Sequence, residues 1–183
     1  LVGEQTVPNV LMACHYRPDA LWFISTQRSE AERRTECIRN ALKLKGLGPQ
    51  ADDARVVAVD QDSLADCLTR IEELLEGNSG EAEYIINITG GNKVMALAAY
   101  EVFREIGEKV SINYIPLSRN EFFQVFPRKK KALRPHPIRD RLSLEEYLLC
   151  YGFEIENKRR LASIRSRCAE RQSLSEWLLS HYG

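Results

Sequence analysis

Residues 84–93 read YIINITGGNK, an apolar run that passes through two glycines to a lysine. The run predicts a buried strand, and the apolar residues after Lys93 predict a helix, so the turn joins the two. The first N–H groups of a helix have no partner within it and carry the positive end of its dipole. Gly90 and Gly91 let an anion approach this backbone, and Lys93 adds a full charge. The turn is a candidate phosphate site, although glycines in tight turns also serve purely conformational needs.

The spacing of this turn excludes two familiar nucleotide motifs. A Walker loop has four residues between its first glycine and its Gly-Lys pair, and dinucleotide enzymes carry Gly-x-Gly-x-x-Gly. Neither pattern occurs at residues 89–93. Thr89 and Asn92 add side chains that form hydrogen bonds. The sequence therefore predicts phosphate or ribose binding without an NTPase.

The composition describes a globular chain of 183 residues, 44% of them hydrophobic, which suits one medium domain and an appendage. Lysine and arginine number 26, and aspartate and glutamate also number 26, so the overall charge does not indicate a protein that coats nucleic acid or a membrane surface. Any anion site must be local. The three histidines lie far apart without metal-ligand spacing, so we predict neither a metal nor a cofactor.

The five cysteines are odd in number and scattered, without a Cys-x-x-Cys pair, which is typical of reduced thiols in a cytoplasmic protein. No apolar run approaches the roughly 18 residues of a membrane helix, and no signal peptide is visible. We therefore expect no membrane contact from these residues. Leu1-Val2-Gly3 resembles the end of a strand, so the sequence reads as a fragment, and a membrane anchor or an effector domain could lie outside it.

Strands and helices alternate along most of the chain. The predicted strands are 20–24, 54–59, 84–88, 110–115 and 122–126, and the predicted helices are 8–16, 29–45, 64–76, 92–106 and 142–149. Thr6 is predicted to cap the first helix, which begins at Pro8. Alternation with short loops predicts a Rossmann-like, doubly wound α/β fold with a mainly parallel sheet, a C-terminal antiparallel edge hairpin and a short helical tail.

Ligands of such sheets bind beyond the carboxyl ends of the strands, where the strand order reverses. Three turns of small and polar residues follow predicted strands: Gly3–Thr6, Ser25–Arg28 and Thr89–Lys93. In a parallel sheet all three emerge on the same rim. We therefore expect them to converge on one ligand site.

The helix after Lys93 is apolar nearly all round, more than packing on one sheet face requires. A second copy of the chain or a neighbouring helix would cover the other side, and we favour the second copy. Composition also changes after Phe126. Residues 1–127 are predicted as the α/β domain, 128–141 as a basic, proline-rich linker, and 142–183 as a helical tail or the start of an effector or dimerisation region. The linker reads as a solvated connection or as a basic strip beside an anion pocket or nucleic acid.

Three segments together resemble the CRISPR-associated Rossmann-fold (CARF) sensor domains. They are residues 2–9, VGEQTVPN; residues 19–26, DALWFIST; and residues 87–97, NITGGNKVMAL. The nearest likeness is to sensors fused to restriction-type nucleases in type III CRISPR effectors. It covers residues 1–152, including the segment LSLEEYL at 142–148.

The resemblance implies a homodimer that binds cyclic oligoadenylate, most often cyclic tetra-adenylate, across its two-fold axis and controls an effector activity in antiviral defence. The residues implied to bind this ligand are Gly3, Glu4, Gln5, Thr6 and Asn9 on one wall, Ser25, Thr26 and Gln27 on another, and Asn87, Thr89, Gly90, Gly91, Asn92 and Lys93 at the phosphate and ribose. The family often has threonine where this chain has Asn92.

Two other functions stay open at this point. A ring nuclease would cut its own ligand by attack of a ribose 2′-hydroxyl on the adjacent phosphate, without metal, with Lys93, Thr26 and Ser25 positioning and stabilising charge. A small DNA-binding regulator would use residues 157–182 as part of a helix-turn-helix. The sensor is the leading hypothesis, because the residues that would bind the ligand and those that would cut it are of the same types, so the turns show binding without showing cleavage.

Overall fold

A computed structural model of the protein describes residues 1–76, 82–116, 119–127, 134–157, 159–160, 162–163 and 166–167. The chain divides into two units, Leu1–Gly152 and Phe153–Gly183. Residues 128–133 of the predicted linker and most of the segment 157–182, predicted as part of a helix-turn-helix, lie outside the described residues.

The first unit alternates helices and strands, as the sequence predicts. The elements are α1 (Val7–Tyr16), β1 (Trp22–Thr26), α2 (Gln27–Ala31), α3 (Arg34–Leu44), α4 (Gly48–Asp52), β2 (Arg55–Val59), α5 (Leu64–Glu76), β3 (Tyr84–Asn87), α6 (Lys93–Glu105), β4 (Val110–Tyr114), β5 (Glu121–Phe126), β6 (Pro135–Pro137) and α7 (Leu144–Leu149). A short 3₁₀ turn, Gly107–Lys109, precedes β4. None of the described helices is both long enough and apolar enough to cross a membrane.

The strands form a parallel pair, β1 with β2, and a four-stranded sheet in the order β3-β4-β5-β6. β3 and β4 are parallel, whereas β5 and β6 each run antiparallel to their neighbours. The predicted α/β fold with a parallel sheet and an antiparallel C-terminal edge is confirmed.

The segment Leu1–Val2 joins the two sheets. The Val2 N–H donates to the Ile24 carbonyl of β1 at 2.8 Å, and the Leu1 nitrogen donates to the Asn87 carbonyl of β3 at 3.0 Å. The lateral order is therefore β2, β1, Leu1–Val2, β3, β4, β5, β6. Chain order runs outward in both directions from Leu1–Val2, which makes this segment the point where the strand order reverses.

Helices cover both faces of this sheet. One apolar cluster combines α1 and α3 with strand residues such as Phe23, and the other combines α5 and α6 with strand residues such as Ile24. Phe23 and Ile24 are neighbours in β1 and enter different clusters, because successive side chains of a strand point to opposite faces. The core therefore has two layers of helices with the sheet between them, as in a doubly wound fold.

The prediction of one helix at 29–45 is wrong in one respect, because this segment forms two helices, α2 and α3. Arg33 adopts a left-handed conformation, with φ of 56°, and separates α2 from α3. Glu30 of α2 accepts hydrogen bonds from the hydroxyls of Ser25 and Thr35. Thr35 reaches this carboxylate only because the chain bends between the two helices, and the helical period of the sequence contains no sign of that bond.

Residues 134–152, which composition predicts as part of the linker and tail, belong to the first unit. Pro135–Pro137 pair with β5 as the edge strand β6, and the buried Ile138 packs with Met12, Ile115 and Phe122. The helix α7 packs against α3. The division between the two units at Gly152 thus differs from the boundaries that composition suggests.

Gly3, Gly90 and Gly91 lie where backbone segments touch. A Cβ atom at Gly3 would stand 2.5 Å from the Gly91 nitrogen, and a Cβ atom at Gly90 would collide with the Leu1 carbonyl oxygen. Gly91 has φ of 73°, a conformation that favours glycine. These glycines therefore serve the contact between Leu1–Gly3 and the turn after β3.

Replacing Gly90 tests this contact. We expect Gly90→Ala to lower the free energy of unfolding by about 2 kcal/mol or more, because overpacked backbone has to shift. Gly48→Ala is the matched control, since nothing lies within 4 Å of a Cβ atom at Gly48. Urea denaturation measures both variants. Equal stabilities of the two variants would contradict the close contact.

The four cysteines in the described residues are buried and unpaired, in agreement with reduced thiols, and Cys168 lies outside those residues. Burial raises the pKa of the Cys150 thiol from its ordinary value of 9.0 to about 12. The same cause raises the pKa of the Cys14 thiol to about 11. Both thiols therefore stay protonated in the folded chain well above the pH at which they ionise in the unfolded chain.

This difference predicts a loss of stability at alkaline pH. Above the unfolded pKa of 9.0 the unfolded chain releases the Cys150 proton, whereas the folded chain keeps it until about 12. The free energy of unfolding should therefore fall as pH rises through this window. Urea denaturation at several pH values between about 8 and 10.5 should give a shallower fall for Cys150→Ala than for the wild type. Identical slopes would contradict the prediction.

Candidate functional site

The three turns predicted to converge do lie next to one another on one rim of the sheet. The first turn (Gly3–Thr6) touches the third turn (Thr89–Lys93) through Gly3 and Gly91. The first turn also reaches the second turn (Ser25–Arg28), because Glu4 pairs with Arg28 at 3.5 Å. The turns thus form one continuous surface, which we call the rim.

The third turn is held by side chains that were predicted to contact a ligand. Asn87 donates from Nδ2 to Asn9 Oδ1 at 2.9 Å, and its own Oδ1 accepts from the Thr89 N–H at 3.1 Å. Thr89 Oγ1 accepts from the Ile115 N–H at 2.8 Å, which ties the turn to the end of β4. These side chains fix the backbone of the turn. Only their donors and acceptors that are not used in these hydrogen bonds can bind a ligand.

The N-terminus of α6 is organised by Asn92. Its Oδ1 accepts from the Met95 N–H at 2.9 Å, and its Nδ2 donates to the Gln61 carbonyl at 2.6 Å. Among the described hydrogen bonds, none takes the N–H groups of Lys93 or Val94. The Lys93 side chain is exposed. Two free backbone donors, the helix dipole and one ammonium group therefore meet at this point.

The second turn presents fewer of its predicted ligand-binding side chains to solvent than its sequence suggests. Ser25 is fully buried, and its hydroxyl donates to Glu30 at 2.5 Å. Thr26 is 6% exposed and caps α2, with its Oγ1 accepting from the Ser29 N–H at 3.1 Å. Gln27, by contrast, is exposed. Of the predicted side chains in this turn, Gln27 is therefore the one presented to solvent.

The first turn is divided in the same way. Glu4 and Gln5 are exposed, whereas Thr6 is fully buried. Thr6 occupies the N-cap position of α1 as predicted, but the helix begins at Val7 instead of Pro8, and the Thr6 side chain makes no capping bond. Its hydroxyl donates instead to the Cys150 carbonyl, 144 positions along the chain. That bond is invisible in the local pattern.

Two groups near the rim escaped sequence reasoning. Glu30, which holds Ser25, is one of many acidic residues in first turns of helices, so nothing singles it out. The second group that the sequence analysis missed is the turn from Asp60 to Ser63, which we call the fourth turn. It follows β2 and lies on the same side of the sheet as the turn after β1. The rule that placed three turns on the rim could have found this fourth one.

A depression of about 480 Å³ lies between the second turn and the fourth. Its lining includes Thr26, Gln27, Arg28, Asp60, Gln61 and Asp62. Arg28 of this lining donates a hydrogen bond to Glu32, an exposed residue, and this bond lowers the pKa of the Glu32 carboxyl. Asp60, Asp62 and Asp66 outnumber Arg28 and Arg70 in this lining, which makes the depression less favourable for a phosphate than the Lys93 side of the rim. In the part of the chain that the structure describes, no group of His, Cys, Asp or Glu side chains has the arrangement of a metal site.

Comparisons with known proteins identify a family and a fold. Residues 1–147 match the family model of the Card1 CARF domain. Among curated protein sequences, none matches this chain.

Two solved structures are similar in fold. Can2 from Sulfobacillus thermosulfidooxidans, in complex with cyclic tetra-adenylate, has 23% identity and a TM-score of 0.67, and the match covers 85% of this chain and 41% of that one. Protein VC1899 from Vibrio cholerae has 18% identity and a TM-score of 0.64, with 82% of this chain and 38% of that one covered. The chain thus spans about two fifths of the length of either protein.

Replacing Asn92 tests how the third turn is held. We expect Asn92→Ala to lower the free energy of unfolding by about 1 kcal/mol, because it removes the cap of α6. Asn92→Thr keeps a capping oxygen and should lose less. Urea denaturation compares the two variants. Equal losses for alanine and threonine would show that the capping bond contributes little.

Proposed function

Because this chain belongs to the Card1 CARF domain family, we propose that it is a cyclic oligoadenylate sensor domain of a type III CRISPR antiviral effector. The observation that carries the proposal is the N-terminus of α6, where free backbone donors and the exposed Lys93 meet on the reversal point of the sheet. The ligand we propose first is cyclic tetra-adenylate, since the similar Can2 structure is a complex with that molecule.

The chemistry of the rim suits a cyclic adenylate. Phosphates suit the α6 N-terminus and Lys93, because both are positive and the glycine backbone admits close approach. Exposed amide side chains at Gln5 and Gln27 suit ribose hydroxyls and base edges, which need both donors and acceptors. Gly3, Glu4 and Asn9, and the turn-holding groups Thr6, Ser25, Thr26, Asn87, Thr89, Gly90, Gly91 and Asn92, would contribute backbone atoms, remaining hydrogen-bonding capacity or shape.

A homodimer fits the exposed side of α6. Leu97 is 64% exposed, although Met95 and Ala98 of the same helix are buried. Lys93 and Leu97 are four residues apart and so share one helix face. A partner that covers Leu97 through a two-fold axis would bring its own α6 N-terminus close to this one, and a cyclic ligand of even ring size has matching symmetry.

The effector controlled by this domain is proposed to lie outside residues 1–183, since the chain spans only about two fifths of the similar proteins. A restriction-type nuclease, which the sequence resemblance suggests, is the first candidate. The cytoplasm is the proposed location, because buried reduced thiols suit a reducing compartment.

Lys93→Ala tests the anion site. It should weaken cyclic tetra-adenylate binding by about 1.5–3 kcal/mol, roughly 10- to 150-fold in Kd, because a charge-assisted hydrogen bond is lost. Stability should not change, since Lys93 is exposed. Lys109→Ala is the matched control, an exposed lysine in the 3₁₀ turn beyond the other end of α6. Isothermal titration calorimetry measures all three proteins.

Two results would contradict the proposal. One is a wild-type chain that binds none of cyclic tri-, tetra- and hexa-adenylate. The other is an affinity of Lys93→Ala equal to that of Lys109→Ala. Chromatography of the ligand after incubation separates the functions, because intact ligand supports a sensor and linear di-adenylate supports a ring nuclease.

A further inference from the structure

Thr6 occupies an unusual position for a residue of the rim. Its neighbours Glu4 and Gln5 are exposed, yet Thr6 is fully buried, and its hydroxyl donates to the backbone carbonyl of Cys150. Cys150 is also fully buried and directly follows α7. One short turn therefore faces solvent on one side and holds the C-terminal helix of the first unit on the other.

This hydrogen bond is costly to break. Both groups are buried, so water cannot replace the partner, and a buried carbonyl left without its donor loses stability. The turn has little freedom to absorb a shift, because Gly3 abuts the backbone of Gly91. A displacement of Gly3–Thr6 therefore either moves Cys150 with it or breaks the bond.

Cys150 also packs in an apolar cluster with Val10 and Cys14 of α1, and α7 has further polar contacts at the C-terminal end of α3. Lys45 donates to the Arg141 carbonyl at 2.9 Å and pairs with Glu146 at 3.8 Å. A Cβ atom at Gly152 would stand 3.4 Å from Cys37 Sγ. Neither anchor touches the rim. Thr6 thus connects α7 to the proposed ligand surface, and Lys45 connects it to the scaffold.

We propose that the hydrogen bond from Thr6 to Cys150 transmits the occupancy of the rim to α7, and through it to the chain that follows Gly152. The inference rests on the proposed function, because it requires a ligand on the rim. The ligand-free and ligand-bound states differ in the position of the first turn. A ligand that engages Gly3–Gln5 shifts Thr6, and Thr6 shifts the end of α7 through its hydrogen bond.

Hydrogen exchange measured by mass spectrometry tests this coupling. Wild type, Thr6→Val, Thr6→Ser and Lys45→Met are compared with and without saturating cyclic tetra-adenylate, with saturation checked by calorimetry. We expect ligand to change exchange in residues 144–152 of the wild type by about two-fold or more. Thr6→Val, which lacks the donor, should lose this response, and Thr6→Ser, which keeps it, should retain it. Lys45→Met should loosen α7 in both states and still respond.

An internal control separates coupling from general stabilisation by the ligand. The helix α4 precedes β2 and so lies at the amino ends of the parallel strands, whereas the rim lies at their carboxyl ends. A response in α4 equal to that in α7 overturns the proposal, and this comparison in the wild type decides the matter even where Thr6→Val does not fold. A response retained in folded Thr6→Val also overturns it. Binding without any response in α7 overturns the coupling alone, whereas absence of binding to the wild type overturns the proposed function as well.

Discussion

The contact of Leu1–Gly3 with the turn after β3 is the constraint on which the rim depends. Leu1 and Val2 are hydrogen-bonded between β1 and β3, so the chain that leaves them must pass directly over Gly90 and Gly91. Side chains at these positions would occupy the same space as backbone atoms. The approach of two backbones without side chains fixes the start of α1 against the start of α6, and thereby fixes the geometry of the rim.

Most polar side chains of the rim are occupied with holding it. Asn87, Thr89 and Asn92 bind the third turn and the cap of α6, while Ser25 is bound to Glu30. What remains for a ligand is backbone N–H groups, one lysine and a few exposed amides. Such a surface is ordered before binding, so a ligand would lose little free energy in immobilising it.

The helix α6 combines three roles through three parts of its surface. Its N-terminus lies on the rim, one face buries Met95 and Phe103 in the core, and the side that carries Leu97 is exposed. The same helix therefore joins the proposed anion site to the proposed dimer contact. Thr6 forms a second junction, between the rim and α7. The rim is thus connected to two surfaces from which a signal could leave the domain.

The sequence by itself determined the fold class, the alternation of the longer strands and helices and the rim on which the turns meet, because these follow from local periodicity and from the direction of parallel strands. It also identified Asn92 and Lys93 at the start of α6. Tertiary structure decided which candidates face solvent: Thr6 and Ser25 are buried by partners at Cys150 and Glu30. It decided as well that the chain bends at Arg33 and that Pro135–Pro137 form a strand. Hydrogen bonds between distant residues set these outcomes, and one chain read locally contains no record of which distant groups will meet.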